Sequence, residues 1–211
     1  MKYYDFALAP NPRRVNLFLR EKGIELDTVQ VNLRAGEHQA EAFRRVNPQV
    51  MVPCLVLDDG TVLAETMAIC RYLEALHPTP SLFGATPLEI GLVEQWNRRA
   101  EIEGFLAVAD ALRNGEPRFA NRAVPGPRDY AQIPALVERG KARAQGFFED
   151  LDRHLAGREF VATDTFSMAD INCYITVEFA QRVDVRPAAA MQHLNRWFAA
   201  TAARPSVQAL G

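Results

Sequence analysis

Three short stretches carry residue types whose spacing suits a single kind of chemistry. The first, Ala9-Pro10-Asn11-Pro12-Arg13-Arg14-Val15, reads as the end of a strand running into a helix. Asn11 has the side chain of an N-cap acceptor, and Pro12 suits the first helical position, where a missing N–H costs nothing. Such a start offers unpaired N–H groups and the positive end of the macrodipole, which together favour an anion. Arg13 and Arg14 stand at the helix end that disfavours cations, a further sign of a negative group close by. The second stretch, Val52-Pro53, directly precedes an apolar run. As a candidate cis peptide it turns the Val52 N–H and C=O outward, an extended edge for a peptide-like ligand. The third, Glu65-Thr66, opens another helix, which Thr66 can cap while Glu65 accepts from an ammonium. Two helix N-termini, one extended edge and one acid suit a small peptide bearing carboxylates and an amino group.

The surrounding pattern supplies the elements that must position these stretches. Lys2 to Leu8 is short and aromatic-rich, a strand. The helix that follows runs to about Lys22, with Val15, Phe18 and Leu19 on one face and Gly23 as its left-handed stop. Val29, Val31 and Leu33 alternate with polar residues at a period of two, which predicts a second strand. A short helix fits between Gly36 and Val46, ended by Asn47-Pro48. Cys54 to Leu57 and Thr61 to Leu63 flank Asp58-Asp59-Gly60, a hairpin signal, and the Glu65-Thr66 helix then runs through Leu76 to His77-Pro78. Residues 1–80 therefore read as βαβ-α-ββα.

After a Pro/Gly linker no strand pattern recurs, so residues 86–211 read as an all-helical domain. Thr86-Pro87-Leu88-Glu89 is a capping box, followed by Leu88, Leu92, Trp96 and Ala100 at helical spacing. Glu116 to Asp129 reads as an irregular loop. Val137, Gly140, Ala144, Phe147, Phe148, Leu151 and Leu155 trace one face of a long helix. Two more helices start at Ser167 and near Pro187. Ser167 and Asp170 form a capping box whose role is structural: replacing Ser167 is expected to cost stability and not ligand binding.

Composition narrows the function. Lys plus Arg number 24 against 26 Asp plus Glu, a net charge of -2, which argues against a nucleic-acid or membrane-surface protein. No apolar run is long enough for a membrane span, and the N-terminus lacks a signal-peptide core, so a cytoplasmic protein is expected. Cys54, Cys70 and Cys173 are odd in number and widely spaced. They read as small buried hydrophobes, with no metal site expected.

The chain resembles the glutathione S-transferase family from end to end. The marks are Asn47-Pro48 leading to Val52-Pro53-Cys54-Leu55, then Asp58-Asp59-Gly60, Leu63-Ala64-Glu65-Thr66 and Ile69-Cys70-Arg71-Tyr72-Leu73. In the helical half they are Phe166-Ser167-Met168-Ala169-Asp170-Ile171 and Arg204-Pro205-Ser206. The resemblance implies a thioredoxin-like N-terminal domain, an all-helical C-terminal domain that forms the pocket for a small hydrophobic electrophile, and a cytoplasmic homodimer serving detoxification, with glutathione as co-substrate. It implies that Val52, before a cis-proline at Pro53, pairs with the cysteinyl part of glutathione. Glu65 and Thr66 hold the γ-glutamyl end, and His38 reaches the glycyl carboxylate.

The nucleophile in this family is the glutathione thiolate. Lowering a thiol pKa of about 8.5 by two units corresponds to about 2.7 kcal/mol. Most classes help with a Tyr, Ser or Cys near the end of the first strand. Here Ala9 or Pro10 occupies the serine position, Tyr3 and Tyr4 lie too early in the strand, and Asn11 is the short polar donor left. This resembles the atypical bacterial and fungal branch that lacks the usual catalytic residue. The mechanism expected is a thiolate stabilised by the Asn11 side chain and the amides that follow it, attacking an electrophile lined by residues around Phe105 to Phe119. The enzymatic alternative is a glutathione-dependent disulfide reductase or peroxidase. A non-catalytic binding module is the alternative of another class.

Overall fold

The computed structural model describes residues 1–210, which form two units, residues 1–80 with 125–128 and 210, and residues 81–124 with 129–209. In the first unit β1 (Lys2–Asp5) leads into α1 (Pro10–Lys22) and then β2 (Asp27–Gln30). A 3-10 turn (Glu37–Gln39) and α2 (Glu41–Val46) stand where one short helix is predicted, because Ala40 is extended and separates them. β3 (Cys54–Val56), β4 (Val62–Leu63) and α3 (Thr66–Leu76) complete the unit. The sheet order is β2-β1-β3-β4, with β2 parallel and β3 antiparallel to β1.

The strand period sorts the core into two layers. Tyr3 and its partner Leu55 face one way and are buried with Val15 and Phe18 of α1 and Ile69, Cys70 and Leu73 of α3. The Tyr3 hydroxyl lies 3.4 Å from the Pro12 carbonyl, which ties that face to α1. Tyr4 and Cys54 face the other way, clustered with Val31, Phe43 and Val52 beneath α2. The predicted hairpin closes at Gly60, whose φ of 86° is the left-handed conformation that the turn requires.

The second unit holds α4 (Pro87–Arg99), α5 (Leu106–Gly115), α6 (Ala135–His154), α7 (Met168–Ala180), α8 (Gln192–Ala202) and the single turn α9 (Pro205–Gln208). The Thr86 capping box forms, with Glu89 N–H donating to Thr86 Oγ1 at 3.2 Å and Glu89 Oε2 accepting from Thr86 N–H at 3.1 Å. The predicted face of α4 is rotated: Leu88 is 71% exposed, and the buried stripe is Val93, Trp96, Asn97 and Ala100. Asn97 is drawn inward because its Oδ1 accepts from Asn172 Nδ2 of α7 at 2.8 Å. Between α4 and α5 a π-helical segment (Ala100–Phe105) keeps the helix continuous. Gly140 lets α6 approach α5 at backbone distance, since a Cβ there would lie 2.5 Å from the Ala107 carbonyl oxygen. The last long helix begins at Gln192, not near Pro187. No described helix is long and apolar enough to cross a membrane.

Candidate functional site

The sheet registers bring the three chemical stretches to one end of the first unit. Tyr4 pairs with Cys54 and Leu55 with Leu63, both antiparallel. The chain therefore leaves β1 toward α1 at the end where Val52–Pro53 enters β3 and where β4 exits toward Glu65. β2 runs parallel to β1 and leaves at that same end toward His38.

Helix α1 begins two residues earlier than the sequence predicts. Its N-cap is Ala9, with no side-chain capping bond, and Asn11 is the second helical residue. The turn from β1 decides this: Ala9 N–H donates to the Phe6 carbonyl at 2.8 Å, and Arg13 N–H already closes on the Ala9 carbonyl at 3.0 Å. Pro10 and Pro12 have no N–H. The first turn is thus left with one unpaired backbone donor, Asn11 N–H, and the amides following Asn11 are not available to a thiolate. The Asn11 side chain does not cap; its Oδ1 accepts from Arg14 Nη2. That bond fixes the amide orientation and leaves Nδ2 as the outward donor, with no acceptor among the described residues. The two arginines are likewise drawn inward, Arg13 9% and Arg14 4% exposed.

The turn that carries Asn11 is braced by a network that the sequence pattern does not reveal. Asp5, buried at the end of β1, accepts from Gln30 Nε2 at 2.7 Å and from Asn16 Nδ2 at 3.3 Å. Gln30 Oε1 in turn accepts from Ala7 N–H at 3.4 Å.

Val52–Pro53 is cis, and neither the N–H nor the C=O of Val52 has a hydrogen-bond partner among the described residues. The preceding loop is held by buried Asn47: Nδ2 donates to the Met51 carbonyl at 2.8 Å, and Oδ1 accepts from Gln49 N–H at 3.0 Å. Within the loop Val50 is buried and has φ 50°, left-handed backbone that a β-branched residue rarely adopts. This strain is worth about 1–2 kcal/mol, roughly what burying a valine side chain returns. Val50→Gly is therefore expected to stay within about 1 kcal/mol of wild type, whereas Val50→Ala keeps much of the strain and loses packing, costing about 2 kcal/mol. Urea denaturation of both variants checks this inversion of the usual Ala-over-Gly order.

Glu65 is the exposed N-cap of α3, without a side-chain cap bond, and Thr66 is the buried first helical residue, not the cap predicted for it. His38 lies half-buried in the 3-10 turn, its Nε2 3.4 Å from Gln39 Nε2. Hydroxyl and thiol candidates lie elsewhere. Tyr3 is in the core, its hydroxyl pushed well above its ordinary value by burial. Burial drives the Cys54 thiol up to about 12 and raises Cys70 and Cys173 strongly. All three cysteines are buried, as their spacing predicts.

Comparison with known proteins follows the same division. Residues 9–76 match the glutathione S-transferase N-terminal domain and residues 123–205 the C-terminal domain. The chain is 35% identical to glutathione S-transferase 2 of Saccharomyces cerevisiae over 215 residues, covering 100% of this chain and 89% of the relative. The crystal structure of Gtt2 from Saccharomyces cerevisiae superposes with a TM-score of 0.90 at 35% identity, covering 100% of both chains. A Gtt2-class glutathione S-transferase of Vibrio parahaemolyticus gives a TM-score of 0.85 at 36% identity, covering 100% of this chain and 97% of that one.

Proposed function

Because the chain belongs to the glutathione S-transferase family, we propose that it binds glutathione at the shared end of the β1, β3 and β4 strands and transfers the thiolate to a small hydrophobic electrophile. The observation that carries this reading is the unpaired Val52 backbone, an N–H and a C=O presented together before cis Pro53. An extended peptide needs that edge for its own main-chain hydrogen bonds. Val52 pairs with the cysteinyl unit, Glu65 and the start of α3 at Thr66 hold the γ-glutamyl end, and His38 meets the glycyl carboxylate. The protein acts in the cytoplasm as a homodimer.

Asn11 is the catalytic residue in this scheme. It supplies two donors to the sulfur, its own N–H and the Nδ2 that Arg14 turns outward, at the positive end of α1. Hydrogen bonds to a charged group contribute roughly 1.5–3 kcal/mol each, and a two-unit fall in thiol pKa needs about 2.7 kcal/mol. Two donors therefore suffice without a hydroxyl. The thiolate then attacks the electrophile, forming the carbon–sulfur bond as the leaving group departs. A reductase that works through its own thiol is disfavoured by the burial of all three cysteines.

The test is titration of bound glutathione by thiolate ultraviolet absorbance. Wild type is expected to show a thiol pKa near 6.5, and Asn11→Ala a pKa raised by about one unit, with kcat/KM at neutral pH about tenfold lower. An unshifted thiol pKa in wild type overturns the mechanism.

A further inference from the structure

A single peptide group, the one joining Met51 to Val52, faces the glutathione end on one side and a buried anchor on the other. It is trans, since the cis bonds among the described residues follow Val52 and Thr79. In a planar trans peptide the C=O and the N–H point to opposite sides. The C=O side is pinned: Asn47 Nδ2 donates to the Met51 carbonyl at 2.8 Å. Asn47 is 2% exposed and is itself held fast. Its N–H donates to the Phe43 carbonyl at 2.8 Å, its own carbonyl accepts from Val50 N–H at 2.9 Å, and its Oδ1 accepts from Gln49 N–H at 3.0 Å. An amide side chain has one acceptor end and one donor end, so the Gln49 bond leaves Nδ2 for Met51. Phe43 also packs with Val52 in one apolar cluster, so both ends of the 47–52 loop are fastened at α2. With its carbonyl directed at Asn47, the peptide presents the Val52 N–H on the opposite side, where it has no acceptor among the described residues.

We propose that Asn47 is a positioning residue for glutathione: by holding the Met51 carbonyl it sets the plane of the Met51–Val52 peptide and aims the Val52 N–H at the main-chain carbonyl of the cysteinyl unit. The inference rests on the glutathione reading above. Without a donor at the Met51 carbonyl, the whole peptide group can rotate about the line joining its two Cα atoms, which swings the N–H out of line while the bond stays planar. The Asn47 bond removes that rotation before the ligand arrives, so binding does not have to order the peptide. It also polarises the group, which makes the Val52 N–H a stronger donor. The Gln49 and Val50 bonds cannot replace it, because they fasten the start of the loop and not its last peptide.

The experiment compares glutathione with its trans-alkene isostere, in which a CH=CH unit replaces the cysteinyl–glycyl peptide group and offers Val52 no carbonyl. Calorimetric titration of the full chain is expected to show glutathione binding about tenfold tighter than the isostere. Asn47→Asp keeps the side chain's size and the acceptor for Gln49, but sets a carboxylate oxygen against the Met51 carbonyl. It is expected to weaken glutathione about fivefold and the isostere less than about twofold. Asn47→Ala, with neither donor nor charge, is expected to show the same selective loss and stands in if the aspartate variant does not fold. Asn195→Asp loses an amide-to-carbonyl bond of the same kind, to Ala188 in the helical unit, and leaves the wild-type ratio intact. At saturation the thiol pKa of bound glutathione stays at its wild-type value in the Asn47 variants, because the donors to the sulfur lie on α1. A shift of about one unit or more means that the change reaches α1 and overturns a role exerted through Val52. A merely structural role weakens both ligands alike; that result, or an unchanged ratio in both Asn47 variants, overturns the assignment of Asn47 and leaves glutathione binding standing. Wild type that binds neither ligand, or binds the two equally, overturns the Val52 reading and the inference with it.

Discussion

Asp170→Ala is expected to destabilise the protein by about 3–5 kcal/mol, and by more at pH 5 than at pH 7.5. Asp170 is fully buried at the start of α7 and collects four donors. Oδ1 accepts from Val161 N–H at 2.9 Å and from Trp197 Nε1 at 3.0 Å, and Oδ2 accepts from Ser167 N–H and Ser167 Oγ, each at 3.0 Å. Truncation strands these donors in the core, at about 1–3 kcal/mol for each buried group left unsatisfied, and removes the tie between α7, α8 and the 161–167 loop. Relief of a buried charge offsets part of the loss. Burial raises the Asp170 carboxyl to about 6 in spite of its donors, above about 3.9 in an unfolded chain. The folded state therefore holds the Asp170 proton more tightly. Its contribution to stability is full below pH 4 and declines as pH rises through 6, by up to about 3 kcal/mol. Alanine has no such titration, so the gap between wild type and variant narrows as pH rises. Urea denaturation at the two pH values measures it. A gap that widens with pH contradicts the assignment of the raised carboxyl to Asp170. Ser167→Ala, which removes one hydroxyl and keeps the Ser167 N–H bond, is expected to cost about 1 kcal/mol, with an unchanged KM for glutathione.

What the sequence discloses follows from how local its determinants are. Cis Pro53, the Gly60 turn, the Thr86 box and the Ser167 box are each decided within a few residues, and each is found where its pattern places it. The preference of asparagine for a cap puts the start of α1 two residues late, because it is weaker than the turn from β1, which closes through Phe6 and Ala9. The apolar count favours Leu88 for the inner face of α4, whereas the buried amide pair Asn97 and Asn172 sets the rotation.

The candidate site divides in the same way. Of its backbone parts, the proline before β3 is legible because its effect is local, whereas the two helix starts are legible only to within one or two residues. Its side-chain orientations are not legible. That Arg14 turns the Asn11 amide, that Asn47 ties the loop before Val52, and that Asp5 and Gln30 brace the turn are facts of tertiary placement. In the sequence the unfavourable arginines of the first α1 turn point to a bound anion; their burial shows that part of their role is internal.

Lys22→Met is the second change expected to carry a large cost, about 3–5 kcal/mol, lowering the melting temperature by roughly 10 °C. The Lys22 ammonium is wholly buried, 2.7 Å from Glu74 Oε2, and donates to the Pro80 carbonyl at 2.5 Å. Its charge also lies 5.8 Å from the centre of the Phe18 ring. Lys22 ends α1, Glu74 lies on α3, and Pro80 is where the main span of the first unit ends. One side chain therefore ties the two helices behind the sheet to the closing segment of the unit. Methionine can fill the stem's volume, but it leaves the Glu74 carboxylate mostly buried without this cation and the Pro80 carbonyl without this donor. Removing one partner of a buried pair costs far more than the pair's net worth, because the remaining charge keeps its desolvation penalty. The paired change Lys22→Met with Glu74→Leu should recover at least half of the loss. A double-mutant cycle by urea denaturation measures this coupling. A single-variant cost below about 1 kcal/mol, the ordinary worth of an exposed pair, contradicts the buried tie.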